Sequence, residues 1–257
     1  MIAPNELKAR LPLTPRAQHT VAVGRQSIRS ILRRADPRLL VVVGPCSIHD
    51  ATAALEYGHR LQSLAMELRD TLHLVMRTYL EKPRTTVGWR GLLTDPGLDA
   101  TGDVEAGVQV ARELLLSLND AGVPCATESL DPLLVPYTDD LVSWTALGAR
   151  TSESQVHRAM ASGLSMPVGI KNGTDGWVDS AIDALQATAA PQVMMTVGGD
   201  GSLEQLTSRG NPDAHVVLRG GRTGPNHTSR HVTGCAAELA RRRLEPNIVV
   251  DCSHANS

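Results

Sequence analysis

Short apolar runs alternate with helix-period segments along almost the whole chain, and this alternation limits the fold more than any other feature. Leu39–Gly44, "LLVVVG", carries no polar side chain, as a strand covered on both faces requires. Ala51–Leu68 follows, with Ala54, Leu55, Leu61, Leu64 and Leu68 at helical spacing. The series continues as strand Leu72–Arg77, helix Asp103–Asn119, and strands Pro124–Glu128 and Asp140–Gly148. Helix Glu153–Ala161, strand Met166–Ile170, helix Val178–Ala187, strand Ala214–Arg219, helix Ser229–Arg242 and strand Asn247–Cys252 complete it. Gln192–Val197 reads as a strand or as one arm of a hairpin, and the Gly-rich, polar stretch Gly198–Asp213 as a mobile insertion. Strand–helix alternation predicts a parallel sheet with right-handed crossovers. A length of 257 residues suits a single TIM-type (β/α) barrel. On this reading residues 1–38 are an N-terminal arm and lead-in helix, and 39–257 the barrel.

Composition removes several function classes. A net charge of -2 provides no basic surface for nucleic acid. No apolar stretch approaches the roughly 20 residues of a membrane span. The opening "MIAPNELKAR" has no apolar signal-peptide core, so a cytoplasmic protein is expected. Cys46, Cys125, Cys235 and Cys252 show no CxxC spacing and read as reduced thiols or metal ligands, not a disulfide framework.

Chemistry concentrates where strands end. "GPCSIHD" follows the first strand, "MRTYLEKPRTT" the second, "ESLD" the third and "GARTSESQ" the fourth. "IKNGTDG", "LRGGR" and "DCSHANS" follow later ones. The C-terminal ends of parallel barrel strands open on one face, where active sites are built. Arg77, Lys82, Arg84, Arg150, Lys171 and Arg219 are therefore expected in one mouth. Six cations gathered there repel one another unless anions neutralise them. Glu128 can do part of this, and ligand phosphates the rest, since Arg binds phosphate bidentately and Lys as a point charge. Lys is otherwise scarce: of 25 basic residues only Lys8, Lys82 and Lys171 are not Arg. Taken singly, these fragments are weak signals: "KPRTT" is commonly a solvated turn, "KNGTDG" a hairpin, and a strand-end Cys a small buried hydrophobe.

In combination they are specific. "VVGPCSIHD", "EKPRTTVGW", "GARTSESQVHR", "ASGL", "VGIKNGTDG", "LRGG" and "SHANS" occur in an order that resembles the type I 3-deoxy-D-arabino-heptulosonate 7-phosphate (DAHP) synthases. The likeness runs from "ELKARLPL" to the end of the chain. It implies a TIM barrel, a divalent metal (Mn, Fe, Co or Zn), and condensation of phosphoenolpyruvate with erythrose 4-phosphate, the first step of the shikimate pathway. By motif position it implies that Arg77, Lys82, Arg150, Lys171 and Arg219 hold phosphoenolpyruvate, with Glu128 beside them. Lys82, Arg84 and Thr85 meet erythrose 4-phosphate, and Cys46 and His254 are metal ligands. Lys82, Arg150 and Lys171 are the implied catalytic residues, and a homo-oligomer is the implied assembly.

The departures carry their own expectations. The family continues after "SHANS" with a helix, an eighth strand and a final helix that hold two further carboxylate ligands, whereas this sequence stops at Ser257. A barrel lacking its last strand and helix is therefore expected, with its first and seventh strands unpaired on one side. Little turnover is expected from these 257 residues alone. Glu81 and Glu128 are expected to pair with the cations and not with a metal. Ser129 and Cys252 replace bulkier family residues, and "TVGGDGSLEQ" departs from the usual hairpin. The family's feedback inhibition by Phe, Tyr or Trp works through the arm and hairpin, which leaves any inhibitor open. Two alternatives to the synthase stand beside it: a non-catalytic relative that binds phosphoenolpyruvate or regulates a paralogue, and a Schiff-base aldolase using Lys82 or Lys171.

Overall fold

The computed structural model describes Met1–Ser257, which divide into two compact units. The first comprises residues 1–145 and 195–205, the second residues 146–194 and 206–257.

The first unit opens with α1 (Pro4–Arg10) and α2 (Pro15–Leu32). Pro15 occupies the first turn of α2, where its missing N–H costs nothing, and the Thr14 hydroxyl accepts the Ala17 N–H at 3.0 Å. Strand β1 (Leu39–Val43) leads to α3 (Ala51–Glu67), whose N-cap is the Asp50 carboxylate. Strand β2 (Leu72–Arg77) and helix α4 (Val104–Asp120) follow, the helix capped by Asp103. Val108, Ala111, Leu115 and Leu118 of α4 are fully buried, so its helix-period apolar face is the one that packs. Strand β3 (Cys125–Glu128) and two 3-10 turns precede β4 (Trp144–Leu147), which begins in this unit. β1 pairs with β2 in parallel, Leu39 opposite Leu72 and Val43 opposite Met76, and β2 pairs with β3 in parallel.

β1 departs from its sequence reading. It is half-buried, and Leu39 is 65% exposed, because β1 has a strand neighbour on one side only. The fourth strand also begins later than its apolar run suggests. Asp139–Leu141 is a 3-10 turn, and extended pairing starts at Trp144.

The second unit contains α5 (Gln155–Gly163), β5 (Val168–Lys171) and α6 (Asp179–Ala189). A hairpin of β6 (Val193–Val197) and β7 (Leu203–Thr207) comes next, its tip assigned to the first unit. β8 (His215–Leu218), α7 (Ser229–Arg241) and β9 (Ile248–Val250) complete the elements before a final 3-10 turn, His254–Asn256. β5, β8 and β9 pair in parallel in that order, with Lys171 opposite Val217 and Leu218 opposite Val250. β9 pairs with β8 alone. Gln192–Val197 is thus a hairpin arm, and the stretch 198–213 supplies its partner strand instead of forming an unstructured insertion. The order of strands and helices is the α/β pattern of a TIM-type barrel without its last strand and helix. No helix is long and apolar enough to cross a membrane.

Candidate active site

In the first unit the site is built where β1 and β2 end. The two exits approach so closely that a Cβ on Gly44 would lie 2.6 Å from the Arg77 carbonyl oxygen. This proximity brings residues far apart in sequence together. Lys82 Nζ donates to Cys46 Sγ at 2.8 Å, and Arg77 Nη2 to the Cys46 carbonyl at 3.1 Å. The Arg77 guanidinium lies 4.0 Å over the Tyr79 ring, a cation–π contact that holds it in place, while its Nε is buried without a partner. The backbone of Lys82 is tied by its N–H to the Arg90 carbonyl at 2.8 Å. Cys46, Arg77 and Lys82 are therefore one cluster.

Arg84 and Thr85 lie on the exposed loop beyond it, where Arg84 Nε donates to the Trp89 carbonyl at 2.6 Å. Glu128, at the end of β3, is 3% exposed. Ser129 beside it shares a 2.8 Å hydroxyl contact with Thr145.

Glu81 corrects the sequence reading. Its buried carboxylate accepts the backbone N–H groups of Leu130 (3.1 Å) and Asp131 (3.1 Å), and not a cation. Burial pushes its pKa up to about 7; the two amide bonds oppose the shift, and the charges of Asp131 and Glu128 add to it.

In the second unit, Lys171 ends β5 and is 4% exposed, and Arg219 follows β8 on the neighbouring strand. Arg150 lies exposed in the turn after β4. His254 opens the last 3-10 turn with φ +59, a left-handed conformation that is uncommon outside glycine. Its Nδ1 lies 2.7 Å from Asp251 Oδ2, which fixes the ring and turns Nε2 away from that partner. Burial acts to raise the Asp251 pKa. The hydrogen bond and charge of His254, the Ser253 amide and the Lys171 charge outweigh it and hold the carboxyl below its ordinary value. Asp251 was not singled out from the sequence, although its i, i+3 spacing from His254 in "DCSH" was a usable signal.

All four cysteines are free thiols. Burial raises the Cys125 thiol to about 12 and the Cys235 thiol to about 11, so both remain protonated packing residues. Cys46 is exposed beside an ammonium, which makes it the thiol suited to chemistry. A thiolate and an imidazole form a soft donor pair, but no group of three or more His, Cys, Asp or Glu side chains is placed to hold a metal. The residues present do not make up a metal site by themselves.

Parallel strands that end in Arg77, Lys171 and Arg219, with Lys171 buried, define an α/β-barrel protein that gathers cations at its strand ends. The chain belongs to the DAHP synthetase I family, whose sequence model matches residues 16–257. It is 53% identical over its full length to the phospho-2-dehydro-3-deoxyheptonate aldolase, Tyr-sensitive, of Escherichia coli K12, covering 72% of that protein. It is 49% identical to the Phe-sensitive protein of the same organism, covering 73% of it. The structure of the phospho-2-dehydro-3-deoxyheptonate aldolase from Francisella tularensis SCHU S4 superposes with a TM-score of 0.98 at 42% identity, over 100% of this chain and 75% of that one.

Proposed function

We propose that this protein condenses phosphoenolpyruvate with D-erythrose 4-phosphate and water, giving DAHP and inorganic phosphate, at the entry to aromatic amino acid biosynthesis. One observation carries the reading: the likeness over the whole of this chain, at 53% identity, to a named phospho-2-dehydro-3-deoxyheptonate aldolase. In this reaction C3 of phosphoenolpyruvate attacks the aldehyde carbon. Water then adds at C2, and phosphate leaves by C–O cleavage. Two phosphates and a carboxylate must be held together, so preorganised cations carry much of the catalysis.

Arg77, Lys82, Arg150, Lys171 and Arg219 are assigned to phosphoenolpyruvate, with Glu128 tempering their charge. Lys82, Arg84 and Thr85 are assigned to erythrose 4-phosphate. Lys171 supports the assignment by its burial, since an ammonium shielded from water attracts an anion more strongly. The 2.8 Å contact between Lys82 and Cys46 keeps an ammonium at the β1–β2 exit. Cys46 and His254 are proposed as two donors to a divalent Mn, Fe, Co or Zn ion. Homo-oligomeric assembly and a cytoplasmic location belong to the same proposal.

The test mixes the protein with both substrates and Mn²⁺ and follows loss of phosphoenolpyruvate absorbance together with phosphate release. Stoichiometric phosphate and DAHP, lowered by orders of magnitude in Lys82→Ala, support the reading. Phosphoenolpyruvate that binds but is never consumed supports the non-catalytic alternative. Borohydride trapping of Lys82 or Lys171 would favour the Schiff-base aldolase.

A further inference from the structure

Three asparagines that carry no charge and drew no notice in the sequence form one hydrogen-bonded relay in the second unit. Asn172, Asn226 and Asn256 are 0%, 7% and 9% exposed. Each adjoins the proposed chemistry. Asn172 follows Lys171, Asn226 closes the loop after Arg219, and Asn256 lies two residues past His254.

The bonds are continuous. Asn172 Oδ1 accepts the Arg219 N–H at 2.8 Å and the Asn226 Nδ2 amide at 3.2 Å. Asn172 Nδ2 donates to the carbonyls of Gly173 (2.8 Å) and Gly220 (3.0 Å). Asn226 Oδ1 accepts the Gly220 N–H at 2.7 Å, while the Asn226 N–H donates to Asn256 Oδ1 at 2.7 Å. Asn256 Nδ2 then donates to the Leu218 carbonyl at 3.1 Å and the Asp251 carbonyl at 2.8 Å. The backbone partners fix which end of each amide is oxygen, since N–H groups must meet oxygen and carbonyls must meet nitrogen.

The pattern requires amides. Each side chain presents an acceptor and a donor on the same group, and aspartate would lose the donors and bury a charge. Gly220 is fitted to the same junction. Its φ is +72, and a Cβ there would lie 2.5 Å from the Ala255 carbonyl carbon. The Ala255 N–H also donates to the Arg219 carbonyl at 3.2 Å, so the His254 turn is stitched directly to the end of β8.

We propose that Asn172, Asn226 and Asn256 are positioning residues: they lock the ends of β5 and β8 and the His254 turn into one unit, and thereby set Lys171 and Arg219 for phosphoenolpyruvate. The proposal rests on the assignment of those two cations to phosphoenolpyruvate. It predicts a split that general loosening of the fold does not produce, because Lys82, Arg84 and Thr85, assigned to erythrose 4-phosphate, belong to the first unit.

The experiment is calorimetric titration of the full chain and of Asn226→Asp with phosphoenolpyruvate and, separately, with erythrose 4-phosphate. Circular dichroism establishes that each protein is folded. Phosphoenolpyruvate affinity is expected to fall by about tenfold or more, the equivalent of one good hydrogen bond to a charged group. Erythrose 4-phosphate affinity should stay within about twofold by the same conversion. If Asn226→Asp does not fold, Asn256→Ser, which removes the amide at the far end of the relay, is measured in its place with the same expectation. Unchanged phosphoenolpyruvate affinity in a folded variant, or equal losses for both ligands, would overturn the proposal. Failure of the unmodified chain to bind phosphoenolpyruvate would instead overturn the substrate assignment on which it rests.

Discussion

Replacing Glu81 with glutamine isolates the cost of one buried carboxylate. Glu81 is 6% exposed, and its pKa is raised from 4.5 to about 7, burial being the largest cause. A shift of that size corresponds to about 3 kcal/mol of differential stability between the protonated and ionised forms. The sign follows from proton counting. The folded chain holds this proton more tightly than the unfolded chain, so the stabilisation is fully present below about pH 4.5 and is lost as the pH rises through about 7. A glutamine oxygen in the place of Oε2 can accept the Leu130 N–H (3.1 Å) and the longer Asp131 N–H bond (3.4 Å), and the side chain never ionises. Urea unfolding followed by circular dichroism at pH 4, 5, 6, 7 and 8 should show wild type losing stability relative to Glu81→Gln by about 3 kcal/mol across the series, with other titrating groups cancelling in the difference. The variant should be the more stable protein at pH 8. Parallel stability curves for the two proteins would refute the reasoning and place the Glu81 proton in water.

Two further substitutions test the frame around the site. Arg112→Met should cost about 3–5 kcal/mol, read as a shift in urea midpoint. Fully buried Arg112 bonds both Asp140 oxygens (2.7 and 2.9 Å) and the carbonyls of Leu11 and Tyr137, and its loss leaves Asp140 only the longer 3.9 Å pairing with Lys8; adding Asp140→Asn should recover part of that cost. Gly44→Ala should cost about 1–3 kcal/mol by overpacking and weaken phosphoenolpyruvate binding, since the new methyl must displace the Arg77 backbone; thermal unfolding and calorimetry of one preparation check both effects.

What could be read from the sequence depended on whether a residue's role is set by its own chemistry or by a distant partner. β2 was legible to the residue because its apolar run is too short for a helix and falls between helix-period segments, which leaves a covered strand. The run 140–148 misled because Leu141 and Val142 are buried whether the backbone is 3-10 or extended, so hydrophobicity does not mark where the strand starts. β7 left no signal at all. All five of its residues are exposed, and "LEQLT" shows no burial alternation to detect.

The same rule sorts the site residues. Arg77, Lys82, Lys171 and Arg219 announced themselves because a cation at the end of a buried strand needs an anion to justify it. Glu81 was visible as a charge but misassigned, because its partners are backbone amides 49 and 50 residues away that carry no sequence signature. The asparagines were invisible for a related reason: in "KNG", "GPN" and "HANS" an asparagine looks like an ordinary turn former. Only their burial, and carbonyls up to 48 residues distant, reveal the relay. A site of this kind is written twice, once in charged residues at the strand ends that can be read directly. The second writing is in neutral amides that face the backbone, and it becomes readable only when the strands that carry them are paired. On the proposed assignment, a substitution in that second layer alters phosphoenolpyruvate binding without touching the ligand.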